Sequence, residues 1–307
     1  MRLDETEQDT IEDRRGEGGG FGGGFGLPMG GGLGIGTMII LGLLGWALGI
    51  DPRLLIGGAE ILSGGHQHAQ APSQARHVGK PSDDMGRFVS TIVGNINREW
   101  TDIFAQDGRT YRKPILVLYN QATPAACGGV AQSAMGPFYC PEDQKVYLDT
   151  SFFKEIENRF HGCEVGSTSC RFAQAYVIAH EVGHHVQNLL GILPKIQQQQ
   201  QQLDKTSANR LQVRVELQAD CLAGVWARHE NERLQKEGKP PLVEPGDVEA
   251  ALQTASAIGD DTLQRRATGR VVPDSFTHGS SEQRQRWFST GFREATVAAC
   301  NTFRTAG

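Results

Sequence analysis

The sequence predicts an α+β domain, in which helices pack on a small antiparallel sheet, preceded by one apolar segment long enough to cross a membrane. Three observations predict it: apolar residues recur at helical spacing after residue 83, short β-rich runs follow, and long helical patterns close the chain. With 307 residues, the chain is long enough for one core with appended segments. A net charge of -5 gives no broad basic field, so nucleic-acid binding is not expected.

The N-terminal part divides into three segments by composition. Residues 1–27 are acidic and glycine-rich and predict a disordered tail, because ordered glycine loses the most backbone entropy and offers no side chain to bury. Residues 28–50 predict a transmembrane helix, since the run from 33 to 50 carries no charge. A removed signal peptide is the alternative, because residues 47–49 resemble a cleavage site, although the acidic leader is unlike a signal peptide's basic start. Residues 51–82 predict a flexible linker.

The charges beside the apolar segment predict its orientation. Arg14 and Arg15 precede the segment and Arg53 follows it, which favours a cytoplasmic N terminus. We therefore expect a single-pass protein of the inner membrane with its C-terminal domain on the periplasmic, extracytoplasmic side. This domain, residues 83–307, also holds every cysteine of the chain.

The cysteine count fits an oxidising compartment. All six cysteines lie beyond the apolar segment, and their even number is consistent with disulfides. Cys163 and Cys170 enclose a short loop and can pair locally, whereas buried free thiols are the alternative. The six are Cys127, Cys140, Cys163, Cys170, Cys221 and Cys300.

The domain begins with a helix and continues into short strands. The helix is predicted from six apolar positions at helical spacing: Phe88, Ile92, Val93, Ile96, Trp100 and Ile103. Residues 114–119 (PILVLY) predict a strand. Residues 129–139 and 145–149 predict a hairpin, because the turn-forming residues 140–143 separate them.

Four further helices are predicted, at residues 151–160, 172–190, 207–229 and 281–299. Gly191, followed by Pro194, is a stop signal for the second of them. Ser207 is the expected N-cap of the third. The glutamine run 197–202 between these two helices predicts a solvated connector or a frayed helical turn.

The second of these helices contains the motif His180-Glu181-Val182-Gly183-His184. Two histidines four residues apart lie on one helix face, so both imidazoles can reach one ion. Glu181 is rotated one position round, where its carboxylate can meet a metal-bound water. The alternative without a metal site is a helix with exposed His and Glu, but the flanking apolar residues indicate a buried face. The spacing therefore predicts a Zn²⁺ site with Glu181 as catalytic base.

A catalytic zinc with two histidine ligands needs a third protein ligand downstream. Metzincins place glycine and histidine at positions where this sequence has Gln187 and Leu190, so that subclass is excluded. Glu216 and Asp220 lie four apart on one face of the next predicted helix. We expect Glu216 to be the third ligand and Asp220 to accept a hydrogen bond from a ligating imidazole. A pair of helix-surface acids is the alternative.

Several motifs together resemble the bacterial neutral zinc metallopeptidase family, with a layout similar to the membrane gluzincins. They are HEVGH, ELQADCLAG, ACGGVAQSAMGPFYCPEDQKVYLD and HGSSEQRQRWF. The resemblance implies a zincin-like fold with two helices carrying the zinc site and a single-pass membrane anchor. It also implies His180, His184 and Glu216 as ligands and Glu181 as base.

His278 resembles the histidine of a related Thr-His-Pro segment, with Gly279 in place of the proline. It can donate to the oxyanion of a tetrahedral intermediate, occupy the fourth zinc position until substrate arrives, or be structural. Arg284 is its candidate partner on the final helix.

These predictions combine into a membrane-anchored zinc endopeptidase acting on protein or peptide substrates. The segment 129–139 precedes the helix of the metal motif and suits an edge that aligns an extended peptide by β-addition. One alternative is a membrane-tethered polypeptide-binding or chaperone-like protein whose zinc site is structural. Another is a zinc hydrolase acting on a non-peptide amide.

Overall fold

The computed structural model describes residues 10–15, 80–158, 168–243 and 270–304. Its helices are α1 (Asp84–Gln106), α2 (Ser151–Asn158), α3 (Thr168–Leu189), α4 (Ile192–Gln200), α5 (Lys205–Lys236) and α6 (Ser281–Glu294). Its strands are β1 (Ile11–Asp13), β2 (Ile115–Tyr119), β3 (Ala122–Ala125), β4 (Gly129–Gln132), β5 (Phe138–Cys140) and β6 (Lys145–Asp149). Short 3-10 turns occur at Ser133–Met135, Pro273–Ser275 and Val297–Cys300. The mixture of helices and small sheets confirms the α+β class.

The main sheet is mixed, so the predicted antiparallel sheet is wrong. Its order is β1-β2-β6-β5, with β1 and β6 parallel to β2 and only β5 antiparallel to β6. The hairpin predicted across residues 140–143 is present as β5–β6, but its first strand is shorter than the predicted 129–139, because residues 129–132 form β4 and pair with β3. Between β2 and this hairpin the chain forms a separate β3–β4 ribbon, and this excursion returns β6 parallel to β2. Strand direction depends on these connections, which side-chain alternation does not report.

Residues 10–15 are part of the sheet, so a disordered tail over residues 1–27 is wrong for them. The backbone pairs Ile11 with Leu116, and the Ile11 side chain is buried. Arg14 is buried as well and donates to the Thr123 hydroxyl and the Pro124 carbonyl, at 3.1 Å each. The composition of a glycine-rich tail, averaged over its length, does not reveal a three-residue strand.

The end of this N-terminal segment meets the start of α1. The Arg15 guanidinium lies 2.8 Å from the Asp83 carboxylate. Asp83 is also the N-cap of α1, because its side chain accepts the Gly86 backbone N–H. That backbone hydrogen bond, together with Arg15, holds the pKa of Asp83 below its usual value. Residues 15 and 83 are thus in direct contact.

Within the described ranges, the structure contains no helix that is both long enough and apolar enough to cross a membrane. The predicted transmembrane helix at residues 28–50 lies outside the described residues. Most of the predicted linker, residues 51–79, lies outside them as well.

The helices follow the sequence patterns, with differences at their ends. Gly191 adopts a left-handed conformation with φ of 72° where α3 stops, as glycine does at helix C termini. Pro194 lies in the first turn of α4, where a missing N–H is tolerated, and α4 includes part of the glutamine run. The predicted Ser207 cap is wrong: Asp204 caps α5 and accepts the Ser207 backbone N–H. A carboxylate one turn earlier offers the same cap chemistry.

The core lies between α1, α3, α5 and the sheet. Trp100 and Trp226 are fully buried, and the Trp226 indole N–H donates to Asn95 at 3.0 Å. Helices α5 and α6 cross at two glycines. A Cβ added at Gly291 would lie 1.8 Å from the Cys221 carbonyl oxygen, and one at Gly224 would lie 2.2 Å from that of Phe288. Only glycine permits this approach, which seats α6 directly on the helix of the third predicted ligand.

Two disulfides join described cysteines, which supports the expected oxidised state. Cys127 pairs with Cys140 on β5, and Cys221 pairs with Cys300 beyond α6. Cys170 is also disulfide-bonded. The predicted pairing of Cys170 with Cys163 involves a residue outside the described ranges.

Candidate metal centre

Helices α3 and α5 bring His180, His184 and Glu216 together. One Glu216 carboxylate oxygen, Oε2, lies 3.2 Å from Nε2 of His180 and 3.4 Å from Nε2 of His184. One candidate ligand atom from each of the three residues lies within 4.8 Å of the other two. His180 and Glu216 are each 7% exposed. The sequence-predicted ligands therefore meet at one buried point.

Close packing of the two helices makes this meeting possible. Gly183, between the two histidines, faces Ala219, between Glu216 and Asp220. A Cβ at position 183 would lie 3.0 Å from the Ala219 carbonyl oxygen and 3.1 Å from its Cα. The absence of a side chain at Gly183 lets the two backbones approach closely enough for side chains from both helices to share one ion.

Hydrogen bonds at the outer nitrogens fix both imidazole rings. Nδ1 of His180 lies 2.8 Å from the Asp220 carboxylate, and Nδ1 of His184 lies 2.9 Å from Oε1 of Gln187. The Gln187 amide nitrogen donates to the Val215 carbonyl, so its Oε1 is the atom that accepts from His184. Both carboxylate and amide oxygens accept, hence each Nδ1 carries a proton. In neutral imidazoles this leaves both Nε2 lone pairs facing Glu216.

The donor set fits zinc. Two imidazole nitrogens and a carboxylate oxygen are the ligands of many catalytic zinc sites, which keep a fourth position open. Metal–ligand bonds of about 2.0–2.1 Å in tetrahedral geometry separate neighbouring ligand atoms by about 3.4 Å. The 3.2 and 3.4 Å spacings around Glu216 Oε2 match this separation. Three lone pairs that converge on one point form a site for a cation, which takes the place of the proton between His180 Nε2 and Glu216 Oε2.

The charges around the site favour a cation at this point. Burial opposes protonation of His180, but the carboxylates of Asp220 and Glu216 outweigh it and raise the pKa of His180 to about 10. Burial also opposes ionisation of Glu216, yet the histidines around it hold the pKa of its carboxyl well below the usual range. Positive charge is thus stabilised at the imidazoles and negative charge at Glu216.

Glu181 is buried next to the ligands, with 7% of its surface exposed. Burial raises its pKa, and the neighbouring histidines oppose that rise. A desolvated carboxylate with a raised pKa is better matched to accepting a proton near neutral pH than an exposed one. Among the described residues, the metal-ligand cluster contains His180, His184 and Glu216 and does not include Glu181, as the motif predicts.

Comparison with known protein families gives a match that includes the residues of this candidate metal centre. A model of the family described as "Putative neutral zinc metallopeptidase" matches residues 1–303. The chain belongs to this family. The family model therefore covers the metal motif, the third ligand and the N-terminal strand alike, and membership in the neutral zinc metallopeptidases implies zinc as the cofactor.

Similar proteins align with most of the chain. "Uncharacterized protein YpfJ" of Escherichia coli strain K12 is 45% identical over 301 residues, which are 97% of this chain and 96% of that protein. "Uncharacterized protein Rv2575" of Mycobacterium tuberculosis strain H37Rv is 38% identical over 266 residues, which are 84% and 85% of the two chains. No solved structure matches the chain significantly.

Asp220 lies where the sequence predicts it, beside the candidate ligand His180, and has further partners. Its carboxylate is fully buried and accepts hydrogen bonds from Arg284 and from the Tyr176 hydroxyl as well as from His180. Arg284, which the sequence suggests as a partner of His278, is a partner of Asp220 in the structure. Arg284 and His180 together hold the pKa of Asp220 at about 2 against the opposing effect of burial.

His278 is exposed on the loop before α6, outside the three-residue ligand cluster. Its Nδ1 lies 3.1 Å from the Thr277 hydroxyl. Its charge helps to lower the pKa of Glu216, which places it close enough to act on the site electrostatically. A catalytic role for His278 stays a prediction. His185 faces away, with its ring between the Tyr139 hydroxyl and the Arg112 carbonyl.

Three residues at the metal centre were not assigned site roles from the sequence. Gln187 holds His184, Tyr176 contacts Asp220, and the Gln212 amide donates to the second Glu216 oxygen at 2.7 Å. Each lies three or four residues from a ligand on the same helix, and such neighbours share a helix face. This spacing was the available signal.

Proposed function

We propose that the chain is a zinc-dependent endopeptidase in which Glu181 is the general base. The observation that carries the proposal is the convergence of His180, His184 and Glu216, whose lone pairs meet beside a buried glutamate. A purely structural zinc site is normally closed by a fourth protein ligand. Among the described residues, the cluster contains three.

The residues divide the reaction between them. When bound, zinc supplies a Lewis acid that polarises the scissile carbonyl and lowers the pKa of bound water to about 7. His180, His184 and Glu216 hold the metal. Glu181 accepts the proton of the attacking water and returns it to the leaving amine. His278, within electrostatic reach of Glu216, donates a hydrogen bond to the developing oxyanion.

The peptide substrate binds as an extended strand along β5. In the described part of the chain, β5 has a hydrogen-bonded neighbour on one side only, which is β6. Tyr139 of β5 contacts α3 directly, since Asn188 donates to its hydroxyl at 2.9 Å and His185 lies 3.0 Å from it. A strand added to this edge therefore runs beside the helix that carries both histidine ligands.

We place the enzyme at the bacterial inner membrane, attached through the apolar segment 28–50, with its catalytic domain on the extracytoplasmic side. The apolar segment supports attachment. The disulfides Cys127–Cys140 and Cys221–Cys300 support an oxidising compartment.

The test is a peptide-library digest by zinc-loaded protein, with and without a chelator. We expect cleavage that the chelator abolishes and zinc restores. Glu181→Gln is expected to keep stoichiometric zinc and lose cleavage by a factor of at least about 100. Glu294→Gln, an exposed glutamate on α6, is the matched control and keeps full activity.

Two outcomes would contradict the proposal. Unchanged cleavage by Glu181→Gln removes the base assignment. Zinc-loaded protein that binds unfolded polypeptide but cleaves no peptide in the library favours a polypeptide-binding protein with a structural zinc site.

A further inference from the structure

Arg284 is a buried cation that the proposed reaction does not use. It lies on α6 with 3% of its surface exposed, and the nearby Asp220 is fully buried. Nε and Nη2 of Arg284 each lie 2.9 Å from a different oxygen of the Asp220 carboxylate. Nη2 also lies 3.1 Å from the Tyr176 hydroxyl. This two-pronged pairing fixes the plane of the carboxylate.

One atom, Asp220 Oδ1, connects this carboxylate to the candidate metal ligand His180. Asp220 Oδ1 accepts hydrogen bonds from His180 Nδ1, the Tyr176 hydroxyl and Arg284. Arg284 is the donor that contacts both carboxylate oxygens, so it restrains rotation of the group. A rotated Asp220 would no longer hold the His180 ring with Nε2 directed at Glu216.

We propose that Arg284 is a positioning residue that orients His180 through Asp220 and thereby connects α6 to the metal centre. The inference rests on the proposed zinc site and deepens it. Glycine packing seats α6 on α5, and the same helix starts just after the loop that carries His278. A shift of α6 would therefore move Arg284 and the His278 loop together.

The experiment compares Arg284→Lys with Arg286→Lys, an exposed arginine on the same helix. Lysine keeps the charge but cannot form the two-pronged pair. Zinc affinity is measured by chelator competition, ligand geometry by the visible spectrum of the Co²⁺-loaded protein, and folding of the metal-free protein by thermal melting. We expect Arg284→Lys to weaken zinc binding by about 10–100-fold and to shift the cobalt spectrum. Arg286→Lys is expected to match the parent.

A second pair keeps the inference testable if Arg284→Lys does not fold. Zinc affinity is compared between Asp220→Asn and the double variant Asp220→Asn/Arg284→Gln. If Arg284 acts through Asp220, both bind zinc equally well. A further loss in the double variant, or parent-like affinity and spectrum in Arg284→Lys, overturns the inference. Parent protein that binds no zinc would instead refute the proposed function.

The N-terminal strand carries an independent inference about membrane sidedness. Backbone hydrogen bonds of 2.8 Å join Leu116 to the Thr10 carbonyl and Arg14 to the Leu118 carbonyl. The Lys145 ammonium group lies 2.7 Å from the Glu12 carboxylate. The Arg15–Asp83 ion pair joins the N-terminal segment to the start of α1. Residues 10–15 are therefore built into the same folded unit as the catalytic domain.

On the proposed membrane attachment, we infer that residues 10–15 and the described residues from 80 onward lie on the same side of the membrane, so that attachment through residues 28–50 leaves both on the extracytoplasmic side. One crossing between Arg15 and Asp83 would place them on opposite sides of a hydrocarbon layer about 30 Å thick. They are 2.8 Å apart instead. The predicted single pass, with a cytoplasmic N terminus, does not accommodate this contact.

The test uses the full chain in cells, with one epitope tag at the N terminus and another at the C terminus. Protease is added to intact spheroplasts, and a cytoplasmic protein serves as the control for leakage. We expect loss of both tags. Loss of the C-terminal tag with full protection of the N-terminal tag overturns the inference.

Discussion

Gln187 on α3 donates a hydrogen bond of 3.0 Å to the side chain of Gln218 on α5. This bond is the centre of a buried chain of contacts. On one side Gln187 Oε1 holds His184, and on the other the Gln218 amide donates to the Cys300 carbonyl at 2.9 Å. Cys300 is bonded to Cys221. A ligand of the metal centre is thus connected to a disulfide.

Gln187→Leu is expected to weaken zinc binding by about 10–100-fold, because His184 loses the partner that fixes its ring and tautomer. Chelator competition measures the affinity. Gln235→Leu, an exposed glutamine on α5, is the control. Equal zinc affinity in the two variants would contradict the assigned role of Gln187.

Removal of the Cys221–Cys300 disulfide by double alanine substitution should lower the free energy of unfolding by about 2–5 kcal/mol, because the bond closes a long loop. Zinc affinity should fall as well, since Cys300 anchors Gln218. Denaturant unfolding and chelator competition measure the two effects. The matched control removes Cys127–Cys140, which joins β5 to the β3–β4 ribbon, and is expected to leave zinc affinity nearly unchanged. A larger loss of zinc affinity on removing Cys127–Cys140 than on removing Cys221–Cys300 would refute the connection between Cys221–Cys300 and the metal centre.

Gly183→Ala is expected to push α3 away from α5, because its Cβ meets backbone atoms of Ala219 at 3.0 and 3.1 Å. Overpacking of this kind costs about 1–3 kcal/mol of stability. The larger consequence is a weaker metal site, since each helix carries part of the ligand set. Thermal melting and zinc titration follow the two effects. Parent-like zinc affinity would show that the helix spacing tolerates the methyl group.

Glu99 predicts a pH-dependent stability. Burial, and then the neighbouring Glu230 carboxylate, raise the pKa of Glu99 to about 7 from 4.5. The folded state holds a proton there that the unfolded state has released, so stability falls as the pH rises from 4.5 to 7. Glu99→Gln removes the free-energy cost of ionising this buried carboxyl group in the folded protein. The variant should gain about 1–3 kcal/mol over the parent at pH 8 and little at pH 4.5.

Unfolding curves at the two pH values measure this difference. Arg233 lies 3.1 Å from the Glu99 carboxylate and also pairs with Glu237. Glu237 is exposed and its pKa is lowered, so Glu237→Gln is the control and should show no such gain. A stabilisation of Glu99→Gln that is equal at both pH values would contradict the explanation.

Local patterns in the sequence were sufficient to predict part of the fold and all three candidate ligands. The helix from Asp84, the strand PILVLY and the β5–β6 hairpin follow from periodicity and turn residues. The spacing of His180, Glu181 and His184 predicts two ligands and a base on one helix. The same argument from helix spacing, applied to the next helix, predicts Glu216 as the third ligand.

The sequence by itself determined which side chains can bind a metal, because i and i+4 positions on a helix share a face whatever the helix packs against. Only the tertiary structure decided where the rest of the centre comes from. Arg284 lies 64 residues from Asp220, and β1 joins a sheet whose next strand starts at Ile115. Such contacts depend on how distant segments pack, and local periodicity carries no information about that.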